Sequence, residues 1–209
     1  KRATSAFNLS CIEVEGFEAD DIIASYATKA RDLGAAVTIV SSDKDLMQLV
    51  GNGISMYDSM KSRVINQSEV LEKFGVIPEK VIDVQALAGD SVDNIPGAPG
   101  IGVKTAAQLI NEYGDLESLL TRANEIKQPK RRQTLIDNVD QIRISRELAT
   151  LKQDVPLPVT FEQLEIQAIK PDVVLKFAHE MEFGSLSRRI LEKFNSNNSN
   201  KELNKIIHK

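Results

Sequence analysis

Apolar residues in the first ninety positions follow two periods in turn, and each change of period marks an element. Lys1 to Asn8 reads as the end of a helix, and Cys11-Ile12-Glu13-Val14-Glu15 alternates as a short strand closed by Gly16. Glu18, Asp20 and Asp21 then open a helix. Its apolar positions, Ile22, Ile23, Tyr26, Ala27 and Ala30, recur at helical spacing until Gly34. Ala36-Val37-Thr38-Ile39-Val40 is short and β-branched, as expected of a parallel strand buried on both faces. Strand, helix and strand in this order predict a right-handed βαβ unit. Leu46, Met47, Leu49 and Val50 predict a short helix, Gly51-Asn52-Gly53 a turn, and Ile54–Tyr57 and Arg63–Ile65 two more strands. Ser68 is placed to cap a helix reaching Phe74. Pro78 is placed to start another, through Val81, Ile82, Val84 and Leu87 to Gly89.

The pattern changes after Gly89. Ile95-Pro96-Gly97-Ala98-Pro99-Gly100-Ile101-Gly102 is a Pro/Gly hairpin running through Val103-Lys104-Thr105 into a helix that Gly114 ends. A second short helix spans Leu116 to Ala123, followed by a basic break at Lys127–Arg132. One longer amphipathic helix then carries Leu135, Ile136, Val139, Ile142 and Leu148 until Pro156 and Pro158. Leu164-Glu165-Ile166 reads as a strand, and Val173–Met181 and Leu186–Phe194 as helices. From Asn195 the Asn/Ser-rich composition is that of a linker or tail. The resulting division is an α/β part over 1–90, a helical part over 91–194 and a tail over 195–209.

A chain of 209 residues with 42% hydrophobic content can build a sizeable core. The single cysteine, Cys11, excludes an internal disulfide and points to a reducing compartment such as the cytoplasm. No apolar run is long enough for a transmembrane helix. The net charge of −4 does not favour a polyanionic partner. The charge is unevenly placed, however: acids crowd the first half, while Lys127–Arg132 and the final residues are basic.

Seven carboxylates fall in three tight groups: Glu18, Asp20 and Asp21; Asp43 and Asp45; Asp90 and Asp93. Each group sits where an element ends. Taken singly, each has an ordinary explanation: acids in a first turn favour the helix dipole, and Asp residues cap helices and form turns. Together, at the carboxyl ends of strands in an α/β pattern, they can converge. Close like charges repel by roughly 4 kcal/mol per pair near a protein surface. Hard divalent cations such as Mg²⁺ or Mn²⁺, which take oxygen ligands, would offset this.

Glycines 97, 100 and 102 allow tight turning and close approach of another backbone. Their N–H groups, followed by a helix N-terminus, suit a phosphate. The spacing fits neither a dinucleotide fingerprint nor a Walker loop. A helix–hairpin–helix that holds DNA backbone without reading sequence fits better, with Gly97, Gly100, Gly102, Lys104 and Thr105 as contacts and Lys127–Arg132 as an extension. An ordinary helix–helix turn is the alternative. His179 reads as a partly buried helix residue, Cys11 as a small core residue, and no His is placed to activate Ser41 or Ser42.

The segments Gly16-Phe17-Glu18-Ala19-Asp20-Asp21, Ser42-Asp43-Lys44-Asp45-Leu46, Gly89-Asp90-Ser91-Val92-Asp93-Asn94-Ile95-Pro96-Gly97, Gly100-Ile101-Gly102-Val103-Lys104-Thr105-Ala106 and Glu182-Phe183-Gly184-Ser185-Leu186 occur in order. In them the chain resembles the 5′-nuclease (flap endonuclease) family, in the branch formed by the N-terminal 5′→3′ exonuclease domain of bacterial DNA polymerase I. The resemblance implies a parallel-sheet, PIN-like nuclease core followed by a helix–hairpin–helix subdomain. It implies two-metal hydrolysis of DNA phosphodiesters in replication and repair, with no side-chain nucleophile. Glu18, Asp20 and Asp21 would lie around one ion, and Asp43, Asp45, Asp90 and Asp93 around a second. A K⁺ ion would sit at the hairpin. The implied substrates are 5′-flap, nicked or branched duplexes and RNA primers, bound by a monomer whose parent continues into a polymerase. The family opens with a strand bearing a metal-binding Asp, a second Asp and a basic arch. The sequence resembles the portion after these, roughly the C-terminal two-thirds of the domain, for which the alternative role is a non-catalytic DNA-structure-binding fragment.

Overall fold

The computed structural model describes residues 1–194. They fall into two compact units, Val14–Leu157 and a smaller one formed by Lys1–Glu13 with the residues from Pro158. The smaller unit contains α1 (Arg2–Ala6), α9 (Pro171–Glu180) and a helix over 184–194. The Arg2 guanidinium pairs with Glu180 at 2.6 Å and lies over the Phe177 ring, and Asn8 donates to the Ala168 carbonyl. Residues 195–209, read from sequence as a tail, lie outside the described residues.

The larger unit begins with α2 (Ala19–Asp32), entered at Glu18 and followed by β1 (Val37–Val40). β1 pairs in parallel with β2 (Ile54–Asp58), Ile39 opposite Met56. β2 pairs antiparallel with β3 (Arg63–Ile65), Met56 opposite Ile65, giving the sheet order β1-β2-β3. Thus Ile39, Met56 and Ile65 lie side by side on the buried face. The expected strand at 11–15 does not form. Residues 11–14 take no regular structure, because local alternation makes a strand only where a ladder partner exists. Nor is β1 buried on both faces: as a strand at the edge of this sheet it leaves Thr38 and Val40 exposed.

The helices pack onto the sheet as one continuous hydrophobic cluster. α3 (Gln67–Phe74) starts at Asn66, not Ser68: the Glu69 carboxylate reaches back to accept from the Asn66 N–H at 2.7 Å. α4 (Val81–Ala88) is the central helix, with Val81, Val84, Ala86 and Leu87 fully buried. A helix apolar all round belongs in an interior. α5 (Val103–Tyr113) and α8 (Val139–Ala149) pack directly on it, and α6 (Leu116–Thr121) and α7 (Pro129–Asp137) join the same hydrophobic cluster. The single helix expected over 135–148 is therefore two, broken at Asn138, whose side chain donates back to the Thr134 carbonyl. The expected strand at Leu164–Ile166 is instead a 3₁₀ turn over Glu162–Leu164.

α4 is anchored at its start. The buried Asp83 carboxylate accepts from Arg146 Nε of α8 at 2.8 Å and from the Leu116 N–H of α6 at 3.1 Å. Buried charge persists where it is both paired and hydrogen-bonded.

Candidate metal centre and nucleic-acid interface

The acids come from three element ends. Asp20 lies in the first turn of α2, where its charge meets the positive end of the helix dipole. Asp43 follows β1, and Asp45 opens a 3₁₀ turn over Asp45–Leu49. The Ser41 hydroxyl accepts from the Asp43 N–H, and Asp43 Oδ1 accepts from the Asp45 N–H, both at 3.0 Å. This loop is therefore fixed by its own side chains.

Asp90 and Asp93 lie in the loop after α4. Gly89 ends the helix with a positive φ, and Asp90 and Ile95 exchange main-chain hydrogen bonds at 2.8 and 2.7 Å. That bridge closes the loop carrying Asp93, while Asp90 Oδ1 accepts from the Val92 N–H at 2.9 Å. Carboxylate oxygens of Asp45, Asp90 and Asp93 lie within 4.8 Å of one another.

The charges respond as crowding demands. Burial first, then Asp43, Asp45, Glu18 and Asp21, push the Asp20 carboxyl up to about 6. Burial likewise raises Asp45, opposed by a hydrogen bond from Gln85. Burial would also raise Asp90, but the Lys44 ammonium paired with it and the Val92 N–H hold it below the usual carboxylate range. The same contact raises Lys44. The donors are all oxygen, Asp45 and Asp90 half-buried and Asp93 exposed, and they are short of counter-charge, with Lys44 as the neutralising cation against Asp90. Such a set fits a hard divalent ion.

Asp21 is engaged differently. Its Oδ1 accepts from the Lys152 N–H at 2.8 Å, and nearby Ser25 donates to the Lys152 carbonyl and accepts from the Val155 N–H. These bonds tie the segment after α8 onto α2.

The hairpin divides into a buried and an open half. At Gly97 the N–H donates to Ser145 Oγ at 3.0 Å and the carbonyl accepts from Gln141 Nε2 at 2.6 Å. A Cβ there would lie 2.4 Å from the Gly89 nitrogen, so two backbones are in contact. Both polar groups of Gly97 are thus engaged within the unit. Gly100 and Gly102 are exposed with open space around them, and Lys104 is exposed. Gly102 is the N-cap of α5, and no side chain caps that end. The N–H groups of its first turn therefore have the helix-end vacancy that suits an anion. Only the start of Lys127–Arg132 is a break: residues 126–128 are non-helical, then Pro129 starts α7, and Arg132 donates to the Ile126 carbonyl.

The sequence reading gave no role to Gln85, Lys44, Gln141 or Ser145. A signal existed for Gln85, a polar residue inside the apolar run Val81–Ala88, and for Lys44, a cation between two acids. Cys11 and His179 are both exposed rather than buried. His179 is left outside because α9 turns only Val174 and Ala178 inward.

Residues 1–75 match the family described as 5′-3′ exonuclease, N-terminal resolvase-like domain, and residues 76–172 match 5′-3′ exonuclease, C-terminal SAM fold. DNA polymerase I of Rhizobium leguminosarum is 58% identical over 192 residues, 92% of this chain and 19% of that protein. DNA polymerase I of Bacillus subtilis is 37% identical over 191 residues, 90% of this chain and 22% of that one. The chain thus spans about a fifth of the length of the curated relatives it matches. Among solved structures, T5 5′-exonuclease with bound divalent zinc superposes with a TM-score of 0.63 at 25% identity, covering 87% of this chain and 61% of that one.

Proposed function

The chain belongs to the 5′–3′ exonuclease family, and from that premise we propose that it supplies the metal-holding acids and the duplex-holding hairpin of a 5′→3′ exonuclease and 5′-flap endonuclease acting in the bacterial cytoplasm. The observation that carries this reading is the convergence of Asp45, after β1, with Asp90 and Asp93, in the loop after α4, to within 4.8 Å. Acids that repel one another are not gathered by folding for its own sake.

In this reading residues 1–90 form the acid-bearing core and 91–194 the part that holds the duplex. Glu18 and Asp20, with Asp21 beside them, would hold one Mg²⁺ or Mn²⁺ ion, and Asp43, Asp45, Asp90 and Asp93 a second. The hydrogen bond from Lys152 gives Asp21 a supporting part. When bound, such ions supply Lewis-acid stabilisation of the charge that develops on the attacking and leaving oxygens of a phosphodiester. The side chains set the position. Lys44 balances Asp90 before an ion arrives, and the Asp43 and Asp90 main-chain bonds keep both loops from rearranging. Gly100, Gly102, Lys104 and Thr105 would receive a backbone phosphate at the uncapped start of α5, with a K⁺ ion at the same hairpin. Gly97 would serve it by holding the hairpin against α4. The substrates proposed are 5′-flap, nicked or branched DNA and RNA primers, and the parent chain would continue into a polymerase.

Incubation of a labelled 5′-flap duplex with the chain in Mg²⁺ or Mn²⁺ tests this, with binding followed in Ca²⁺. Flap binding and metal-dependent cleavage that an Asp43→Asn, Asp93→Asn double variant loses is the expected result. A folded chain that neither binds nor cleaves the flap would refute the reading.

A further inference from the structure

Gln85 occupies a position where an apolar side chain would be cheaper. It lies in α4 between the fully buried Val84 and Ala86, and is itself only 4% exposed. Burying an amide among aliphatic neighbours costs free energy unless each polar atom finds a partner. Here one does and one does not. Gln85 Nε2 donates to Asp45 Oδ1, while Oε1 is buried without a partner. The opposite amide orientation would set two acceptor oxygens against each other, so the donor must face Asp45. The net effect on folding is unfavourable, because an orphaned acceptor forfeits its full hydration. What the residue gains is a single fixed contact to a carboxylate that forms a group with Asp90 and Asp93.

We propose that Gln85 is a positioning residue: it anchors one oxygen of Asp45 and so keeps this carboxylate in place for a divalent cation shared with Asp90 and Asp93. The main chain of Asp45 is already held by Asp43. The Gln85 amide fixes the remaining freedom, the side-chain rotamer, from the rigid central helix. Outer contacts of this kind orient a ligand carboxylate and strengthen metal binding through it. The inference rests on the reading of these acids as a metal centre.

Two substitutions separate positioning from packing. Gln85→Met keeps the length of the side chain and Gln85→Leu its approximate bulk, and both delete the donor and the orphaned acceptor. Mn²⁺ binding to the 209-residue chain would be measured by calorimetry, and melting by circular dichroism in EDTA. Mn²⁺ affinity is expected to fall by about 10-fold in both variants, with the metal-free melting temperature unchanged or higher. Wild-type affinity in the variants would overturn the proposal, and so would a melting temperature that fell together with affinity, since Gln85 would then be a packing residue. A wild-type chain that binds no Mn²⁺ would overturn the metal-centre reading and this inference with it. Normal binding by wild type and variants alike would overturn this inference alone.

Discussion

Replacing Gly97 by alanine would place a methyl carbon 2.4 Å from the Gly89 nitrogen, 2.6 Å from its Cα and 2.8 Å from the Ala88 carbonyl carbon. All three obstacles are backbone at the end of the central helix, so no side chain can swing aside. Gly97 also has a φ of +62°, which costs an L-residue about 1 kcal/mol. Overpacking adds about 1–3 kcal/mol. The total is about 2–4 kcal/mol, or a melting temperature lower by roughly 4–16 °C in a chain of this size. Relieving the clash also pulls the hairpin from its bonds with Ser145 and Gln141 and shifts Gly89 beside Asp90. Mn²⁺ affinity should therefore fall with stability. Gly100→Ala is the control. Its φ is +76°, but nothing lies within 4 Å of the added carbon, leaving only the conformational cost of about 1 kcal/mol. Thermal melting of both variants in EDTA, paired with Mn²⁺ titration, distinguishes them. If Gly97→Ala melts no lower than Gly100→Ala, the backbone contact does not hold the hairpin.

Two further outcomes follow from the charges. Asp20 has a folded pKa of about 6, above its unfolded value near 3.8, so ionisation costs the folded state. The metal-free chain should gain stability as pH falls from about 7.5 through 6, with Asp45 acting in the same direction. Melting in EDTA at pH 7.5 and 5.5 checks this, and Asp20→Asn should flatten the slope; an equal slope in both would remove Asp20 as its source. Arg146→Ala would leave the Asp83 carboxylate, which is 5% exposed, with only the Leu116 N–H. Because the arginine is half exposed, the expected loss is about 2 kcal/mol rather than the full cost of a buried pair, read by urea denaturation.

Much of the scaffold was legible because its elements state themselves locally. The apolar spacing of α2, the Gly end of α5 and the Pro78 start ahead of α4 need only neighbours in sequence. What failed depended on partners or on single-residue geometry. The alternation at 11–15 resembles a strand, yet hydrogen-bonding along it requires another backbone, which the sequence does not name. The break at Asn138 leaves the apolar period almost undisturbed, so two helices read as one.

The site divides along the same line. Carboxylates at the ends of elements can be found from the chain alone, because their positions follow from where helices and strands stop. Whether they meet, and what neutralises them, depends on side chains that arrive from elsewhere. Gly97 shows the limit. Its composition signals that some backbone approaches closely, and a phosphate backbone was one candidate. The approaching backbone is Gly89 of the same chain. Gly100 and Gly102, three and five residues on, keep the open surface that a ligand would need. One Gly-rich motif thus does two jobs: its first glycine fixes the loop carrying Asp90 and Asp93, and its later glycines leave the main chain bare at the start of α5. Coupling the loop that carries Asp90 and Asp93 to the bare turn before α5 through a contact with no side chain leaves little slack between them, since backbone atoms cannot change rotamer to absorb a shift.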